Sequence, residues 1–126
     1  MKKSKEITMK LQYYPSKVDK KNGIYMGGVV FPKFINELAI DVYDDYDFDI
    51  ENEEFIKNGL LAIEISGTNR ALKEFGKFLV NIAVFNTQDE DYHEHIDNIY
   101  DSDGKPFVNL TVKKQIKQVV RRNSEQ

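Results

Sequence analysis

The chain has 126 residues, a formal net charge of −3 and no cysteine. It is long enough to bury a core without staples, and disulfides, thiolate metal sites and cysteine nucleophiles are excluded. The basic start MKKSKEITMK is followed by charged and polar residues where a secretion signal needs an apolar stretch, and no window approaches the roughly 18 apolar residues of a membrane span. A single cytoplasmic domain over 1–126 is expected, frayed at 1–5 and about 122–126, with no membrane partner.

The charge is unevenly placed. Glu37 to Glu54 holds nine acidic residues and no Lys or Arg, whereas the C-terminal stretch KKQIKQVVRRNSEQ is basic through Lys113, Lys114, Lys117, Arg121 and Arg122. That tail is too small a basic face for nucleic-acid binding to be expected.

In chain order, Glu6 to Tyr14 alternates as a strand, with Ile7, Met9 and Leu11 on one face. The connector PSKVDKKNG ends in Asn22-Gly23, a pair suited to a tight turn, which makes Ile24 to Phe31 the return strand of a hairpin. Gly27 and Gly28 within it predict a bulge or a close backbone approach. They lack the spacing and following helix of a phosphate loop. Pro32 interrupts the pattern, and Lys33 to Glu37 fits either a turn or a short helix. From Leu38 onward, Tyr46, Phe48 and Ile50 alternate with Asp45, Asp47 and Asp49, which predicts a strand with an apolar inner face and an acidic outer one.

Leu60 to Ser66 reads as a further strand, with Ser66 entering the turn Gly67-Thr68-Asn69 and Thr68 or Asn69 as the N-cap of a helix over RALKEFGKFLVNIAVF. The helical spacing predicts a polar stripe of Arg70, Lys73, Glu74, Lys77 and Asn81 and a buried face of Leu72, Phe75, Leu79, Ile82 and Ala83, with Gly76 allowing close approach. After a polar loop come YHEHIDN, the turn Asp101-Ser102-Asp103-Gly104 and the alternating FVNLTVK, a second hairpin. The tail from Lys114 fits a short basic helix in which Ile116, Val119 and Val120 dock. The order predicts an α+β fold: a mostly antiparallel sheet with one principal amphipathic helix packed on one face.

YHEHIDN contains both histidines. On a strand, His93, His95 and Asp97 share a face opposite Tyr92, Ile96 and Tyr100, and imidazole with carboxylate suits zinc or another divalent metal. HExxH is absent and no third ligand is singled out, so a solvated strand face is the simpler expectation, with a metal-binding domain or metal-dependent enzyme as the alternative. The Asp101/Asp103/Gly104 turn has Ile99 and Leu110 where a calcium loop needs its first and closing ligands. A nucleophilic triad assembled from Ser66, His95 and Asp97 lacks the elbow that exposes a nucleophile. No cofactor and no catalysis are expected.

The segment LLAIEISGTNRALKEFGKFLVNIA, followed by the polar loop, YHEHID and FVNLTVKK, resembles the immunity protein 32 family of bacterial polymorphic-toxin systems. The likeness covers roughly Leu60 to Lys113. It implies a small cytoplasmic protein that binds and neutralises a cognate toxin without catalysis. Independently, Asp45, Asp47 and Asp49 projecting from one strand face would suit a basic, nuclease-like partner, with Tyr43 or Tyr46 as a desolvated anchor. The competing readings are a charged edge that discourages strand aggregation and a homo-oligomeric structural module.

Overall fold

The computed structural model describes residues 1–33 and 35–115. The strands are β1 (Tyr13–Asp19), β2 (Ile24–Val29), β3 (Leu38–Asp49), β4 (Glu54–Gly67), β5 (His93–Tyr100) and β6 (Pro106–Lys113), with one helix, α1 (Asn69–Val84). Ile35–Glu37 form a single 3-10 turn. β1 and β2 form their own antiparallel pair, and the second sheet has the order β4-β3-β5-β6, antiparallel at β3–β4 and parallel where Ala39 pairs with Tyr100. The fold is therefore α+β. The basic tail beyond residue 115, expected to be helical, lies outside the described residues. No helix among those described is long and apolar enough to cross a membrane.

The chain divides into two compact units. The first comprises residues 1–32, 74–95 and the segment from 111 on. Its hairpin starts later than the sequence pattern predicts: residues 1–12 have no regular secondary structure and β1 occupies the expected connector. The backbone carbonyl of Gln12 accepts from Val30 N–H at 3.0 Å and from Asn81 Nδ2 at 2.9 Å, and pairing begins one residue later. Pro15 sits where the β1–β2 register shifts by one residue, as a proline without an N–H requires inside a strand. Gly27 lies opposite, at φ 99°, where any Cβ would strike the Pro15 carbonyl oxygen. At Gly28, by contrast, a Cβ would meet the end of a side chain, Glu94 Oε2 at 2.6 Å, and no backbone atom.

Val29, Phe78, Ile82, Phe85 and Tyr92 are buried in this unit. The helix is rotated from its expected orientation: Leu72, Leu79 and Ala83 are exposed, and Asn81, expected on the polar stripe, is 3 % exposed. Phe78 and Phe85 fix the rotation, two large rings seven residues apart whose burial outweighs that of Leu72 and Leu79. Gly76 faces open space, so no close approach depends on it. Tyr92 ties the unit together. Its hydroxyl donates to Glu94 Oε2 at 2.6 Å and accepts from Val29 N–H at 3.1 Å; burial, and then the Glu94 carboxylate, push its phenol well above the ordinary range.

The second unit comprises residues 33–73 and 96–110. Leu38, Ile40, Ala71, Ile96 and Ile99 are its buried apolar residues. Thr68 is the N-cap of α1: its Oγ1 accepts from Ala71 N–H at 3.1 Å while its hydroxyl donates to Glu37 Oε1 at 2.7 Å. Ser66 belongs to β4, paired with Ala39, and not to the turn. The Asp101 turn forms as expected, with Asp101 Oδ1 accepting from the N–H groups of Asp103 and Lys105. In β5 the alternation slips at Asn98, which has φ 58°, so Ile99 is buried and Tyr100 is exposed, the reverse of the expected order.

Candidate functional site

The β3–β4 hairpin is longer than its sequence pattern indicates, because β4 begins at Glu54 and not at Leu60. The two strands pair from Leu38↔Gly67 to Asp44↔Leu61 and again from Tyr46↔Lys57 to Asp49↔Glu54. Between these runs Asp45 faces three residues of β4, Asn58 to Leu60, so β4 carries two extra residues. Gly59 takes φ 83° there, and Asn58 Oδ1 accepts from Leu60 N–H at 2.9 Å, closing a local turn within the strand. The Asn-Gly pair at 58–59 was the available signal for this bulge.

Antiparallel pairing places directly opposed residues on one face. One face carries Ile40, Val42, Asp44, Tyr46 and Phe48 from β3 with Ile65, Ile63, Leu61, Lys57 and Phe55 from β4. Two contacts confirm its continuity past the bulge: Lys57 Nζ pairs with Asp44 Oδ2 at 3.0 Å, and the Phe48 and Phe55 rings meet edge-on at 5.1 Å. The other face carries Asp41, Tyr43, Asp45, Asp47 and Asp49 with Glu54, Ile56 and Glu64. The predicted alternation is present, but its apolar face is not an inner one. Phe55 is 72 % exposed, Leu61 68 % and Ile63 67 %, with Tyr46 and Phe48 about half exposed. Only its Leu38–Ile40 end is buried.

The acidic residues are less free than a bare row of charges. Asn58 Nδ2 donates to Asp45 Oδ2 at 2.9 Å and to Asp47 Oδ1 at 3.1 Å, holding two neighbouring carboxylates that would otherwise repel. Asp49 shapes the hairpin tip: it accepts from Asn52 Nδ2 at 2.7 Å and from Glu51 N–H at 3.0 Å. The Asn52 bond, chiefly, holds its carboxyl below the ordinary range. Tyr43 and Tyr46 are both exposed but stand on opposite faces. From Leu38 to Gly67 there are nine carboxylates and one lysine, a formal charge of −8 in a chain whose total is −3. A strand pair of this kind can attract a basic surface and cover apolar groups on it, and it offers no nucleophile, base and oxyanion set.

The histidines are placed as their spacing predicts. The His93 and His95 rings lie 4.7 Å apart, both exposed. His93 Nδ1 donates to the Asp91 carbonyl at 2.6 Å, and His95 Nδ1 shares a hydrogen bond with Thr111 Oγ1 at 3.0 Å. Asp97 is exposed on β5, and among the described residues no three His, Asp or Glu side chains gather as a metal site. A cleft of about 440 Å³ beside Leu11, Tyr13, Val84 and Phe85 is bordered by Asn81, whose Oδ1 has no hydrogen-bond partner.

Residues 62–115 match the profile of the family described as immunity protein 32. The match takes in the last six residues of β4, all of α1, β5 and β6, and leaves β1, β2 and β3 outside. It coincides with the stretch whose sequence carries the resemblance. No curated protein and no solved structure matches the chain.

Proposed function

We propose, from the match of residues 62–115 to immunity protein 32, that this chain binds a toxin directly and neutralises it by occupying its active or substrate-binding surface. It does so without catalysis, in the bacterial cytoplasm. The family match is the observation that carries the reading. The hairpin supports it from physics alone: Asp45, Asp47 and Asp49 lie on one face, with Tyr43 among them and Tyr46 on the reverse. Such a face steers a basic partner, a nuclease-like toxin being the natural case, and sets the rate of encounter more than the strength of the complex.

The test is growth rescue. Cells expressing a cognate toxin should survive when the chain is co-expressed, and the two purified proteins should form a stoichiometric complex. Survival without a complex, or a complex without survival, overturns direct neutralisation. Charge reversal at Asp45, Asp47 and Asp49 should slow association and flatten its dependence on salt; a rate indifferent to both removes the electrostatic part.

A further inference from the structure

We infer that His93 and His95 form a binding site for one divalent transition-metal ion of the kind imidazole prefers, Zn²⁺ or Cu²⁺, with the remaining coordination positions left to water. The inference is independent of the immunity reading and takes up the YHEHIDN stretch, which that reading leaves unused. The two residues alternate on β5, so both rings leave the same face of the strand, and both are exposed. Two imidazoles held by one ion through metal–nitrogen bonds of about 2.0–2.1 Å, at an angle of roughly 90–110°, bring their ring centroids to about 4.5–5.2 Å. The His93 and His95 centroids lie 4.7 Å apart. The rings already stand at the spacing that two ligands of one ion require.

Their outer contacts fix which nitrogen is offered. His93 Nδ1 donates to the Asp91 carbonyl at 2.6 Å, so the lone pair of the neutral ring is on Nε2. His95 Nδ1 meets Thr111 Oγ1 at 3.0 Å, and a hydroxyl that rotates to accept that N–H leaves His95 the same tautomer. A carbonyl or hydroxyl oxygen behind Nδ1, with Nε2 left for the metal, is the arrangement that orients ligand histidines. Asp91, His93, His95 and Thr111 all belong to the first unit, so the site lies within one compact body. The cation of this patch, Lys113, pairs with Asp91 Oδ1 at 3.4 Å and so has a counter-charge of its own. Imidazole nitrogens suit Zn²⁺ and Cu²⁺, whereas Ca²⁺ and Mg²⁺ call for oxygen ligands, and no carboxylate joins the two rings among the described residues. Two protein ligands, where a closed structural site has four, leave the ion exchangeable.

The experiment uses the full chain without added histidines, stripped with a chelator and titrated by calorimetry with Zn²⁺ alone and with Cu²⁺ alone. One ion per chain should bind, Cu²⁺ more tightly than Zn²⁺ as the general stability order requires, and Mg²⁺ should give no heat of binding. H93N and H95N should each abolish saturable binding, while their circular dichroism and thermal unfolding match wild type because both side chains are exposed. T111V keeps both ligands and should weaken binding on the order of tenfold, as loss of an outer contact to a ligand histidine does. Absence of stoichiometric binding by either ion overturns the site. Binding that survives in the H93N/H95N double variant does so too, since the ion would then sit on other groups, the carboxylates of the β3–β4 hairpin being the first to test. One ion per two chains would show a second copy filling the open positions, and would overturn the single-chain site.

Discussion

Around Tyr92 the rings close on one another, with Phe85 4.9 Å from Tyr92 and 5.9 Å from Tyr13, and both Phe85 and Tyr92 are buried. In the β3–β4 hairpin Phe48 and Phe55 come as close, at 5.1 Å, yet both remain at least half exposed. Ring contact is common to both regions; enclosure is not. The first region adds a buried polar tie among Tyr92, Glu94 and Val29, which fixes one arrangement of its neighbours. The second adds polar ties at its surface, from Asn58 to Asp45 and Asp47 and from Lys57 to Asp44. Stability should therefore reside near Phe78 and Tyr92, and the capacity to bind should reside in the hairpin.

Truncation tests that division most strongly. Phe78→Ala, at a fully buried ring, should cost about 3–5 kcal/mol of unfolding free energy. Ile63→Ser, on the open face, should stay within about 0.5 kcal/mol of wild type. Urea unfolding measures both, and similar losses would mean that the hairpin face is part of the core. Gly28→Ala comes next. It forces a Cβ toward Glu94 Oε2 at 2.6 Å and onto a backbone at φ 155°, so at least about 2 kcal/mol should be lost, with Glu94→Ala restoring part of it if the clash is the cause. Tyr92→Phe removes the shared hydroxyl alone and should cost about 1–2 kcal/mol. A neutral outcome would show that the Glu94 bond to Val29 N–H, at 3.2 Å, suffices by itself.

The same contrast explains what the sequence made legible. The element order, both hairpin turns, the N-cap at Thr68 and the alternation of Tyr46 and Phe48 with Asp45 and Asp47 follow from local spacing, and each is present. What failed required knowing which face is covered. A run of alternating apolar residues reports two faces, not which of them meets water, so the apolar side of β3 reads as inner when it is exposed. The helix has a broad apolar arc, and only tertiary packing decides that Phe78 and Asn81 turn inward while Leu72 and Leu79 do not. β1 was displaced for a similar reason. A proline inside a short polar run argues for a connector, whereas the Gly27 position opposite it provides the bulge that admits Pro15 to a strand. Of the acidic candidates, Asp49 is the clearest case of a residue whose type was legible and whose task was not.

Asp49 has a counterpart in the first unit. Asp19-Lys20-Lys21-Asn22 and Asp49-Ile50-Glu51-Asn52 close their turns with the same bonds: the Asp carboxylate accepts from the Asn side chain and from the backbone N–H groups two and three residues further on. In both, the Asn bond, chiefly, lowers the carboxyl below its ordinary range, which is about pH 4 for aspartate. A carboxyl lowered on folding contributes stability that is fully present above the unfolded value and is lost as pH falls through the folded one. The two turns should thus be indifferent to pH at neutrality and loosen together in acid. Hydrogen exchange at Lys21 and Glu51, followed from about pH 5 downward and corrected for intrinsic rates, should show both protections decaying in parallel, with D19N and D49N each abolishing the decay only at its own turn. If the Asp49 turn alone held its protection in acid, something other than its carboxylate would be closing the hairpin tip. Parallel decay would place the difference between the two regions in what covers their apolar faces, since their turns would then be built alike.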